Sequence, residues 1–241
     1  MESEHNDERG MTMSNARKKD QRIRVALLVP SSNTVLENDL HAALPKSSFT
    51  VHTDRMYLVE TTKEKEIEMI ENFAPQAASD LGTANPDVLV FGCTSAGSIF
   101  GLEYDAEICR SLGERAGCKG LGVISCVAAA LGSKPIKHLA VITPYNEELT
   151  TAVAKAASDH VVCAFGMGIT DNVALADPTP EDIVAFAQEK LAGYTFDGLF
   201  VSCTNFRAYE AREALEKTFG VPVVTSNSAV IDTLLAMTRS E

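Results

Sequence analysis

The chain has 241 residues, 45% hydrophobic and 22% charged, proportions of a folded globular protein with room for one large core or two smaller ones. Its formal net charge of −12 repels phosphate backbones, so nucleic acid is excluded as the expected partner. The longest nearly apolar run, Val123 to Leu131, falls far short of the ~20 residues that cross a bilayer, so no membrane span is expected.

Residues 1–22 are polar and aperiodic and are expected to form a disordered leader. A strand is predicted over Ile23–Val29 and a helix over Thr34–Ala43. Thr50–Leu58 reads as a strand, and Lys63–Leu81 as a long helix that Pro75 kinks or splits. Asp87–Phe91 follows as a strand, Glu103–Ala116 as a helix, Gly120–Ile124 as a strand and Ser125–Leu131 as a helix. The same alternation then restarts. His138–Thr143, His160–Gly166, Asp197–Val201 and Val221–Thr225 are predicted strands. Glu147–Ala157, Pro180–Ala192, Phe206–Phe219 and Ser228–Thr238 are predicted helices. Strand–helix alternation implies parallel sheets built from right-handed βαβ units. Strands apolar at nearly every position, such as LAVIT and GLFVS, imply burial on both faces.

The order of polar turns repeats. Pro30-Ser31-Ser32-Asn33-Thr34, Gly92-Cys93-Thr94-Ser95 and a turn at Ser125 in the first half are matched in the second. The counterparts are Thr143-Pro144-Tyr145-Asn146, Ser202-Cys203-Thr204-Asn205 and Val224-Thr225-Ser226-Asn227. The predicted fold is therefore α/β with two pseudo-symmetric halves, 23–132 and 133–241, each a short parallel sheet flanked by helices. The active site is expected in the cleft between them. One continuous doubly wound sheet is the competing architecture.

Ligands of parallel sheets bind beyond the carboxyl ends of the strands, where these turns lie. Each turn feeds a helix N-terminus, whose unpaired N–H groups and dipole attract an anion without a basic cluster. Hydroxyls of Ser32, Thr94, Ser95 and Thr204 and amides of Asn33 and Asn205 add hydrogen-bonding capacity. Cys93 and Cys203 occupy equivalent turns, and a helix N-terminus is expected to lower both thiol pKa values. Two thiols on opposing walls can approach one planar carbon from opposite faces. Cys109, Cys118, Cys126 and Cys163 lack this context and read as buried packing. The Lys63–Glu71 charge run reads as an exposed helix face, and Arg207 as a solvated one. The glycines form no G-x-G-x-x-G in a strand-turn-helix setting, and His41, His52, His138 and His160 show no metal-ligand spacing. No metal or cofactor is expected. Six cysteines without paired spacing, and an apolar stretch Val25–Val29 too short for a signal peptide, predict a cytoplasmic protein with reduced thiols.

Four of these motifs, Pro30-Ser31-Ser32-Asn33-Thr34, Gly92-Cys93-Thr94-Ser95, Thr143-Pro144-Tyr145 and Ser202-Cys203-Thr204-Asn205, in this order and with two cysteines, resemble the aspartate/glutamate racemase superfamily. Most closely they resemble its maleate cis–trans isomerase branch, with arylmalonate decarboxylase as a near relative; the resemblance spans about residues 23–238. It implies cofactor-independent isomerisation of maleate, or a close cis-dicarboxylate, to fumarate in a homodimer or dimer of dimers. Cys93 is implied as the nucleophile and Cys203 as its acid/base partner, with Asn33, Tyr145 and Asn172 holding carboxylates. The decarboxylase relatives keep only the cysteine matching Cys203, so Cys93 argues against simple decarboxylation. Racemisation alpha to a carboxylate, arylmalonate-type decarboxylation and non-catalytic binding of a small acid remain the alternatives.

Overall fold

Val25, Ala26, Leu27, Leu28 and Val29 are each at most 1% exposed, so the first strand is covered on both faces, as its unbroken apolar run requires. The computed structural model describes residues 21–238. The expected leader lies outside the described residues but for its last two, Gln21 and Arg22. The first half runs β1 (Ile23–Pro30), α1 (Leu36–Ala43), β2 (Phe49–Met56), α2 (Lys63–Glu68), α3 (Ala74–Gly82), β3 (Val88–Phe91), α4 (Thr94–Phe100), α5 (Leu102–Ala116), β4 (Lys119–Gly122) and α6 (Val123–Gly132). The second runs β5 (Leu139–Thr143), α7 (Glu147–Ala157), β6 (Val161–Gly166), α8 (Pro180–Lys190), β7 (Gly198–Val201), α9 (Ala208–Phe219), β8 (Val223–Thr225) and α10 (Ser226–Met237).

The strands form two separate four-stranded sheets, ordered β2-β1-β3-β4 and β6-β5-β7-β8, with every neighbouring pair parallel. The two orders are identical, so the repeat of turns reflects a repeat of topology, and the single doubly wound sheet is set aside. Alternate residues of β1 serve different cores. Ala26 and Leu28 pack with Met69, Ala77, Leu81 and Ile108 beneath α3 and α5. Val25, Leu27 and Val29 join a cluster that runs on through Leu139, Val141 and Phe200 of the second half. Each buried Leu or Val contributes on the order of 2 kcal/mol, and this shared face welds the halves together.

The split expected at Pro75 is present, and two other expectations are corrected. The long helix over 63–81 is interrupted by a π segment, Met69–Phe73, just before α3. Pro75 has no N–H and crowds the carbonyl four residues back, and the wider π turn relieves that conflict. Thr94–Phe100, which carries no strong helical pattern, is nonetheless helix α4; it ends at Gly101, whose φ of +86° suits glycine and lets α5 start at once. Val123 and Ile124, β-branched and read as strand, form the first turn of α6. Asp105 decides that boundary: its carboxylate accepts Ser125 Oγ at 2.5 Å at the start of the helix.

Candidate active site

The carboxyl ends of the strands place the polar turns. Asn33 follows β1, Cys93 follows β3, Tyr145 follows β5 and Cys203 follows β7. Asn33 shapes its own turn, since its Oδ1 accepts the N–H groups of Val35 (3.0 Å) and Leu36 (3.1 Å) and so caps α1. The Arg55 guanidinium clamps the same turn through the carbonyls of Ser31 (3.2 Å) and Asn33 (2.7 Å). Cys203 has φ +95°, a strained conformation for a side-chain-bearing residue. Its N–H donates to Ser226 Oγ at 3.1 Å and its sulfur accepts Asn205 N–H at 3.2 Å, which hold that conformation.

All ten residues singled out from the sequence line one narrow cavity. Ser32, Asn33, Cys93, Thr94 and Ser95 come from the first half, and Tyr145, Asn172, Cys203, Thr204 and Asn205 from the second. Leu58 and Leu175 add apolar wall, and Thr61 donates a hydroxyl to Asn172 Oδ1. The equivalent threonines cross between halves: Thr94 Oγ1 donates to Ser226 Oγ (3.2 Å) and Thr204 Oγ1 to the Gly92 carbonyl (3.1 Å). Thr61, Tyr145, Asn172 and Leu175 also line a wider outer cavity, in whose lining Glu60 and Asp171, one from each half, pair as an isolated antiparallel bridge.

The expectation of open helix N-termini at every turn is corrected. Thr34 N–H donates to Asn205 Oδ1 at 2.8 Å, Asn146 caps α7, and Thr225 and Ser228 form a capping box on α10. The start of α4 differs, with the Ala96 N–H directed to the Cys93 sulfur. Asn172 Oδ1 is taken by Thr61, which leaves its amide donors for the cavity.

The expected lowering of the thiol pKa values is also overturned. Burial pushes Cys203 up to about 11, although the Tyr145 hydroxyl and the Asn205 N–H oppose it. Burial, joined by the negative field of Glu66, holds Cys93 far above its ordinary range and outweighs the Ala96 N–H and the Ser95 hydrogen bond. Both sulfurs therefore rest as thiols at neutral pH.

Glu66 is the residue that sequence reasoning missed. The Lys63–Glu71 run is not uniformly exposed, because Glu66 is 0% exposed. Cys93 Sγ donates to its Oε2 at 3.5 Å, Ser95 Oγ donates to its Oε1, and burial raises its pKa to about 7. A signal was present: Glu66 stands one helical turn before Met69 and Ile70, on the stripe that Ala74, Ala77 and Leu81 continue. Arg207, by contrast, pairs with Glu210 at 2.7 Å on a partly exposed face, as its sequence setting predicts.

The profile of the arylmalonate decarboxylase family matches residues 25–240. The chain belongs to that family. A maleate isomerase of Pseudomonas putida is 28% identical over 238 residues, 91% of this chain and 92% of the relative. Two solved structures share the fold. A cysteine-to-alanine variant of the maleate isomerase Iso of Pseudomonas putida S16, with maleate, superimposes with a TM-score of 0.82 at 22% identity, covering 90% of this chain and 92% of that one. A cysteine-to-serine variant of the Nocardia farcinica maleate cis–trans isomerase, carrying a covalently bound succinylcysteine intermediate, gives 0.78 at 21% identity over 89% and 91% of the two chains. The family's two-sheet architecture is thus the frame on which this chain sets its paired thiols.

Proposed function

We propose that the protein isomerises maleate, or a close cis-dicarboxylate, to fumarate by cysteine addition, bond rotation and elimination, without a cofactor. The observation that carries the reading is the pairing of Cys93 and Cys203 in one buried cavity, one thiol from each half. A succinylcysteine in a structural relative is the adduct such addition forms.

In this reading Cys93 sulfur attacks one alkene carbon, and the π electrons move to the neighbouring carbon and its carboxylate. The former double bond is then single and rotates. Expulsion of the sulfur restores the double bond in trans geometry. Asn172 amide N–H groups and the Ser32 hydroxyl face the cavity as donors for the substrate carboxylates, a preorganised polar setting for the developing charge. Cys203, a thiol at neutral pH with the Tyr145 hydroxyl beside it, is suited to deliver a proton to the carbanion from the other wall and, as the thiolate so formed, to take it back when the Cys93 sulfur is expelled.

The chain is further proposed to act in the cytoplasm as a homodimer or dimer of dimers, its six free cysteines suiting a reducing compartment. No helix among the described residues is long and apolar enough to cross a membrane. The division between halves is proposed at 132/133, in the segment between α6 and β5, because each sheet draws its strands from one side of that point. Proton NMR of the reduced protein with maleate tests the activity. Growth of the fumarate vinyl signal supports it, and an unchanged maleate spectrum overturns it.

A further inference from the structure

Sulfur adds to an alkene as a thiolate, yet Cys93 is buried and protonated, so its proton needs an acceptor inside the same dry site. Glu66 is placed for that. Its Oε2 lies 3.5 Å from Cys93 Sγ, and its Oε1 is held by Ser95 Oγ, itself 3.3 Å from the same sulfur, so the three groups close a ring. No cation pairs with Glu66 among the described residues; on its own helix Lys65 binds Glu68 and Lys63 lies over the Phe100 ring. The ionisable groups that feel it are Cys93, Cys203 and Tyr145.

We propose that Glu66 is a third catalytic residue, which takes the Cys93 proton as sulfur adds to the substrate, holds it through bond rotation and returns it on elimination. The proposal rests on the addition–elimination reading above. In the forward step the S–H bond breaks, the Glu66 O–H bond and the S–C bond form, and the alkene π pair becomes the adduct's negative charge. Elimination reverses each change, so no external acid, base or oxidant is consumed. The transfer also neutralises Glu66, so the substrate's two carboxylates and the adduct's charge meet a carboxylic acid rather than another anion. A carboxyl that titrates at about 7 is poised for this exchange.

The test needs no substrate. Cys93 is alkylated with iodoacetamide across about pH 5–9 and followed by peptide mass spectrometry. The reactive microstate, thiolate beside carboxylic acid, holds as many protons as thiol beside carboxylate, so its population is constant once the pair has lost one proton. The wild-type rate is therefore expected to rise tenfold per pH unit up to about 7 and then level off. In Glu66→Gln the break disappears and the rate climbs steadily with pH. Ser95→Ala removes a bond that holds the Glu66 carboxyl down, so the break moves to higher pH. A break that persists in Glu66→Gln, or stays in place in Ser95→Ala, overturns the proposal. With maleate, Glu66→Gln is expected to lose about 10²-fold or more in kcat without a rise in KM; a raised KM with unchanged kcat also overturns it. Wild-type protein that shows the alkylation break but makes no fumarate would instead count against the isomerase reading alone.

Discussion

Asn33 and Thr204, 171 positions apart in the chain, meet through a 3.0 Å hydrogen bond from the Asn33 amide to the Thr204 hydroxyl. Asn33 also caps α1 within the first half, so one side chain ties a helix start, the wall of the cavity and the opposite half together. Asn33→Ala removes the cap and the crossing bond. Urea unfolding is expected to show a loss of about 1–2 kcal/mol, together with a raised KM for maleate.

Tyr145→Phe deletes the hydroxyl that holds the Cys203 thiol down. The thiol pKa should rise further, and carbanion protonation should slow. A fall in kcat of about 10²-fold or more is expected in a fumarate absorbance assay, with little change in thermal stability.

The two thiols are separable by mass spectrometry. Cys203→Ser keeps the proposed nucleophile and should accumulate a maleate-derived adduct on the Cys93 peptide. Cys93→Ala should form no adduct and no fumarate. Cys109→Ala, in the core beneath the first sheet, should retain turnover.

Stability should depend on pH through Asp39, which is buried between α1 and α10 and receives the Asn227 amide at 2.7 Å. Burial raises its pKa from 3.8 to about 6. The folded chain therefore holds the Asp39 proton more tightly than the unfolded chain, and the stability this carboxyl contributes is lost as pH rises from about 4 to about 6. That loss is about 2–3 kcal/mol. Asp39→Asn should remove it, seen as a smaller difference between urea midpoints measured below and above this window.

Much of the architecture was legible along the chain because its signals are local. Apolar runs such as Val25–Val29 and Leu139–Thr143 announce buried parallel strands, and polar turns after them announce a ligand edge. The repeated Cys-Thr pairs at 93–94 and 203–204 marked both thiols, and the candidate residues named from such turns line one cavity with Asn172, which only the family resemblance pointed to. Helix α4 and the start of α6 were not legible. Thr94–Phe100 has weak intrinsic helical preference, and Val123 and Ile124 favour strands; packing and the Asp105 carboxylate override both.

By itself, then, the amino-acid order determined the sheets, their repeat and the presence of two candidate thiols, since each follows from neighbours a few residues apart. Only the tertiary structure decided the electrostatics. Whether a thiol is lowered by a helix start or raised by a dry wall depends on what the opposite half and α2 bring against it. That packing buried Glu66 beside Cys93 and brought the Asn205 side chain onto the Thr34 N–H, interactions no local pattern records.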